Sequence, residues 1–186
     1  MKEVMWKGEL EGKIALDTIA NTQNLYGLGP AEYLSGEILI LDGKSYKSSV
    51  ISETEMKVEE SFDLKAPFFG YAHIEQWEKV MLPDSVRTIP QLEHYLEETT
   101  KMNPRPFFFK LSGEVEEANI HVVNLPKGTK VSSPQEAHQG QKNYKLHNRD
   151  SEILGFFLRV IKGYSPITTA FCTCILSLKT KKKWAI

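Results

Sequence analysis

The chain has 186 residues, of which 41% are hydrophobic and 25% charged, with a net charge of −1. Those values fit one ordinary folded domain or two small lobes and exclude a disordered chain. Acids and bases are interspersed, so there is no basic field for nucleic acid or an anionic membrane, and no apolar run reaches membrane-spanning length.

The opening stretch, residues 1–16, carries charges throughout and no apolar h-region, so no secretory signal is expected. Residues 13–25 read as a short helix with Ile14, Leu16, Ile19 and Ala20 along one face. Residues 26–30, Tyr-Gly-Leu-Gly-Pro, read as a turn. Residues 36–41 form an apolar strand, Asp42-Gly43 a tight turn, and residues 44–46 the start of the return strand. The aromatic stretch 66–77 suits a buried strand. Residues 89–100 predict a helix with Pro90 in its first turn and Leu92, Tyr95 and Leu96 on one face.

Residues 106–115 and 119–125 predict two strands separated by a bend near Ser112-Gly113, and residues 126–149 a long polar loop. Residues 153–157 then read as a buried strand. The last stretch, 158–186, is β-prone in composition but has no clear alternation, and it carries a lysine cluster at 181–183. Its plain reading is a C-terminal strand and a frayed tail. Strands dominate, without tandem repeats or regular βαβ alternation. The expected fold is therefore α+β, predominantly β, with mixed or antiparallel sheets and a few short helices. Cys172 and Cys174 sit too close together for an easy mutual disulfide, and a reducing cytoplasm is the simplest compartment.

Three blocks carry a resemblance to a known family. The first is Leu25-Tyr-Gly-Leu-Gly29 followed by residues 34–46, Leu-Ser-Gly-Glu-Ile-Leu-Ile-Leu-Asp-Gly-Lys-Ser-Tyr. The second is Ala66-Pro67-Phe68 leading to residues 107–113, and the third runs from Pro134 through the polar loop to Ile153–Phe157. Together they resemble the α-acetolactate decarboxylases over residues 25–157. The resemblance implies that fold, and an enzyme that converts 2-acetolactate to acetoin and CO2. It implies a zinc ion held by three histidines, two of them from a His-x-His strand and the third from a later Gly-His. Alternate strand residues face the same way, so His-x-His places both imidazoles on one ion, and three neutral ligands leave room for substrate oxygens.

By the same resemblance Glu37 matches the glutamate that helps deliver the proton to the product. Taken alone, Glu37 would be an exposed strand residue. His121 stands where the family has a substrate-contacting arginine, with Lys110 as the alternative positive charge. Neither reproduces a bidentate guanidinium. Family relatives are often dimers, so a homodimer is a further expectation.

No His-x-His occurs in this chain. Its histidines are His73, His94, His121, His138 and His147. His94, His138 and His147 read as surface residues and His73 as a satisfied buried one.

The genetic code offers an account of the missing motif. If the codons after Phe157 are read one frame away, each hidden codon joins the third base of one codon to the first two of the next. The Cys172–Thr173 and Cys174–Ile175 junctions then admit His, with Val between them. Lys183–Trp184 admits Met, Trp184–Ala185 must give Gly, and Ala185–Ile186 admits His. The shifted frame therefore spells His-x-His and a final Met-Gly-His, the family's zinc pattern. The chain accordingly divides into an incomplete family domain, 1–157, and a frameshifted tail, 158–186, which is expected to hold no zinc, to leave a sheet edge exposed and to have little activity.

Overall fold

The computed structural model describes residues 2–100, 106–158, 171–178 and 184–185, the last two segments as backbone strands. In chain order the elements are α1 (Lys2–Lys7), β1 (Ile14–Ala15), β2 (Leu25–Pro30), β3 (Glu37–Leu41), β4 (Lys44–Val50), β5 (Met56–Glu60), β6 (Lys65–Ala66), β7 (Gly70–His73), α2 (Ile89–Thr99), β8 (Phe107–Val122), α3 (Pro134–Ala137), β9 (Lys142–Leu158), β10 (Phe171–Leu178) and β11 (Trp184–Ala185). They build a five-stranded sheet in the order β5-β4-β3-β2-β7, a four-stranded sheet in the order β11-β10-β9-β8, and a small β1-β6 pair. Every pairing is antiparallel. The fold is α+β with strands dominant, as expected.

The β3–β4 hairpin forms where the Asp-Gly pair predicts it. Asp42 and Gly43 both have positive φ, 46° and 77°, which a two-residue hairpin turn requires and which Gly and Asp tolerate best. The α2 helix also forms as predicted. Thr88 caps it through a reciprocal pair: Gln91 N–H donates to the Thr88 hydroxyl, and Thr88 N–H donates to the Gln91 side-chain oxygen.

Two segments near the N-terminus fold differently from their sequence reading. Residues 13–25 are not a helix. Ile14–Ala15 pair with Lys65–Ala66, a single 3-10 turn spans Leu16–Thr18, and Leu25 already belongs to β2. Thr18, Asn21 and Asn24 favour local side-chain hydrogen bonds over a helix, and Thr18 Oγ1 does donate to the Ala15 carbonyl. Residues 26–30 are not a turn either. They are a fully buried central strand between β3 and β7. The glycines serve packing here: a Cβ on Gly29 would lie 2.7 Å from the Phe68 carbonyl oxygen, and one on Gly27 would lie 2.6 Å from the Phe69 ring.

The stretch 66–77 contributes two short strands, β6 and β7. The latter is an alternately exposed edge strand rather than a buried one, with Tyr71 and His73 facing solvent. The expected bend at Ser112-Gly113 is absent, and β8 runs unbroken from Phe107 to Val122 in constant register with β9. The polar loop is shorter than expected because β9 starts at Lys142. Its alternation of buried Tyr144 and Leu146 with exposed Lys145 and His147 is masked by a polar composition.

β10 lies beside β9 from Ser151 to Leu158, so the edge expected to be bare is covered there at the backbone level. Among the described residues, Lys142–Asp150 of β9 pair with β8 alone. The 181–183 lysine cluster and Ile186, the last residue of the shifted-frame pattern, lie outside the described residues.

Period-two alternation gives the five-stranded sheet two apolar faces. Leu25, Ile38 and Ile40 pack with Leu16, Ala66 and Phe69 on one side. Tyr26, Leu28 and Leu39 pack on the other against Leu154, Phe108 and Phe156 of the second sheet. The second sheet's far face, through Phe109 and Phe157, receives Leu92 and Leu96 of α2. Each such buried side chain contributes about 2 kcal/mol. Among the described residues, no helix is long and apolar enough to cross a membrane.

Candidate functional site: a buried carboxyl at the junction of two strands

Gly36 precedes β3 with φ 148°, and a Cβ there would sit 2.2 Å from the Ser48 carbonyl oxygen, so only glycine delivers the chain into β3 at this point. Immediately before it, Tyr33 and Leu34 both adopt left-handed backbone, φ 59° and 51°. This conformation is costly for non-glycine residues and persists only where neighbours enforce it. Here the enforcement is visible, since Tyr33 N–H donates to the Leu10 carbonyl and the Leu34 carbonyl accepts from Leu125 N–H at 3.0 Å.

The result is a seam between residues 34–37 and the segment that leaves β8. At one end of the seam Leu34 meets Leu125. At the other, Val123 N–H donates to Glu37 Oε1 at 3.4 Å. Glu37 lies opposite Pro30 and the buried Ser48 in the register, on the face of β3 that also carries Leu39. Only 6% of Glu37 is exposed, so it is not the exposed strand residue that the sequence alone gives. Burial removes the water that would stabilise a carboxylate. That pushes its pKa up from 4.5 to about 8, against the smaller opposing effect of the Val123 N–H. At neutral pH the group is a carboxylic acid, able to donate a proton.

His121 ends β8 two residues before Val123 and is half-buried. Burial first, and the nearby His138 second, lower its pKa, so it is neutral at pH 7. Its ring centre lies 6.3 Å from that of His138, which ends α3. This neighbour had no sequence signal, because the two histidines are separated by a loop and a helix.

Lys110 stands elsewhere. Its ammonium is 5.9 Å from the centre of the Tyr26 ring and 5.3 Å from that of Trp77, with Glu152 at 4.0 Å. It lies eleven residues before His121 on the same strand, about 35 Å of extended chain, and an odd spacing puts the two on opposite faces. Tyr26 falls opposite Leu41, one step beyond the Gly27–Ile40 pair, about 13 Å along the sheet from Glu37. Along the chain His121 stands two residues before the Val123 amide that reaches Glu37, whereas Lys110 stands at Tyr26 and Trp77. A cleft of about 620 Å3 opens beside the seam, lined by Gly8, Leu10, Tyr33, Ser35, Leu125 and Thr129 among others; Glu37 is not among its lining residues.

Three imidazoles do not converge among the described residues. His73 is exposed on β7 with its Nδ1 3.1 Å from the Gln23 carbonyl, so it is not buried as the sequence predicts. His94 is exposed on α2 and His147 is exposed on β9, a strand rather than a loop. No group of three His, Cys, Asp or Glu side chains able to hold a metal ion occurs among the described residues. This donor set does not fit a three-histidine zinc centre.

The fold that holds this buried acid is α+β with antiparallel sheets dominant. A family model described as Alpha-acetolactate decarboxylase matches residues 1–164, and the chain belongs to that family. No curated protein sequence matches it. Among solved structures it is similar to alpha-acetolactate decarboxylase from Bacillus subtilis strain 168, at 18% identity and TM-score 0.72, covering 100% of this chain and 75% of that one. A Bacillus subtilis subspecies spizizenii acetolactate decarboxylase gives 17% and 0.72, with coverage of 100% and 76%. A Staphylococcus aureus protein of unknown function, similar to alpha-acetolactate decarboxylase, gives 16% and 0.69, with coverage of 95% and 72%. At these identities the likeness establishes the fold.

Proposed function

We propose that the chain is an acetolactate decarboxylase, a carboxy-lyase of the acetoin and butanediol route, impaired by a frameshift after residue 157. The observation that carries this reading is the buried Glu37 carboxyl. Loss of CO2 from 2-acetolactate leaves an enediolate, and one carbon must take a proton to give acetoin. Glu37, protonated at neutral pH, supplies that proton, and a pKa near the working pH suits a general acid. The neighbouring His121 contacts the polar end of the substrate in place of the family's arginine. Lys110, held at Tyr26 and Trp77, has no part in it.

Zinc is the ion that the family resemblance implies, but the donors among the described residues do not fit a three-histidine centre. The same misfit favours a second reading, a metal-free remnant that keeps the fold without turnover. The reading of 158–186 as an aberrant tail is supported by the family match ending at residue 164, before the junctions whose shifted frame spells His-x-His. A cytoplasmic homodimer acting on a small-molecule substrate, without nucleic acid or membrane, completes the proposal.

The test compares the chain as given with a frame-repaired variant. The repaired protein is expected to bind stoichiometric zinc, give a higher soluble yield and melting temperature, and form acetoin. Glu37→Gln in that background lowers kcat by about 100-fold or more. Acetoin formation by the chain as given, at the repaired protein's rate, overturns the reading. Resequencing the codons for residues 155–160 separates a sequencing error from a real pseudogene.

A further inference from the structure

The decarboxylase reading uses His121 and leaves its neighbour His138 without a role. The Nδ1 of His138 lies 2.6 Å from the Pro134 carbonyl. A carbonyl only accepts, so Nδ1 is the donor and Nε2 is the nitrogen free to face a ligand. Metal-binding histidines are commonly held in this way, with the second nitrogen fixed by a backbone carbonyl.

Both residues sit on anchored backbone. Val122 and Val123 are buried beside His121, and Ala137 is buried beside His138. Asn143 lies directly opposite His121 in the β8–β9 register and so on the same face. Its amide oxygen accepts from Gln141 Nε2 at 3.2 Å and has a second lone pair left for a ligand.

Two imidazoles on one ion at a usual metal–nitrogen length have ring centres about 4.5 Å apart when cis and about 6.4 Å apart when trans. The observed 6.3 Å, with the two ring planes inclined at 70°, keeps both imidazoles within reach of one ion. We infer that His121 and His138 form a two-imidazole site for a divalent transition-metal cation of the copper(II) type, with water filling the remaining positions. Copper(II) binds such nitrogen donors most tightly of the first-row divalent ions.

The site shares His121 with the decarboxylase reading, and its test measures metal binding rather than turnover, so the two can fail separately. The probe is copper(II) titrated into the untagged chain as given and followed by electron paramagnetic resonance. The expected result is one tight equivalent whose spectrum shows two coordinated imidazoles. His138→Gln, at an exposed position, should weaken binding by about tenfold or more, as should His121→Asn. His94→Gln and His147→Gln should leave it unchanged. The wild-type spectrum alone decides the matter if His121→Asn does not fold. A one-imidazole signal, no stoichiometric equivalent, or loss of the equivalent in His94→Gln or His147→Gln overturns the inference.

Discussion

The five-stranded sheet buries both faces of its inner strands β2 and β3, whereas the β8–β9 ribbon buries its two ends and leaves its middle in water. Short strands and tight turns hold the first together, and the core on one of its faces is built from residues 14–69 alone. The ribbon is anchored at one end by Phe108, Phe109, Leu154 and Phe157, and at the other by Ile120, Val122, Tyr144 and Leu146. Between them Gly113, Glu114, Glu116 and Glu117 face solvent, as do residues 147–150. The contrast shows where this molecule stores its stability, and it places Glu37 on the well-buried side of the divide.

The contrast is broken most severely at the ribbon's anchored end. Phe157 is fully buried, and Phe157→Ala should lose about 4 kcal/mol in a denaturant melt. In the five-stranded sheet, Gly29→Val forces a methyl-bearing carbon against the Phe68 carbonyl and the Phe69 ring, and should cost about 3 kcal/mol by the same measurement.

Glu37 provides a change of opposite sign. Its folded-state pKa of about 8 lies above the ordinary 4.5, so between those values the folded protein holds more protons than the unfolded one. The favourable state of this group is therefore complete at low pH, and stability falls as pH rises from about 4.5 to about 8. Glu37→Gln should remove that slope, worth roughly 3 kcal/mol, read as the difference between melts at pH 5 and pH 8. The smallest effect belongs to the exposed ribbon middle. No atom lies within 4 Å of a Cβ placed on Gly113, so Gly113→Val should be neutral or stabilising by about 0.5 kcal/mol. A large loss there would mean that the middle of the ribbon is packed after all.

The same divide explains what could be read from the sequence. The β3–β4 hairpin and α2 are specified by local chemistry, an Asp-Gly turn and a Thr–Gln cap, and both form where their residues predict. β2 was hidden because its glycines serve a ring packed from β6–β7, some forty residues away, and composition alone reads them as a turn. The start of β9 was hidden because Tyr144 and Leu146 alternate with lysine, asparagine and histidine, and only the long-range partner β8 makes that a strand. Glu37 was found through resemblance, but its burial and its Val123 donor are tertiary facts. His138 gave no signal at all, since its closeness to His121 depends on how the intervening loop folds back.

The most direct test is a pH titration of the Glu37 carboxyl by carbon-13 NMR in glutamate-labelled protein, with Glu37→Gln identifying the resonance. A midpoint near 8 is predicted, leaving a proton to give at neutral pH. A midpoint near the ordinary 4.5 would show a carboxylate instead, and would remove the acid on which the proposed chemistry depends.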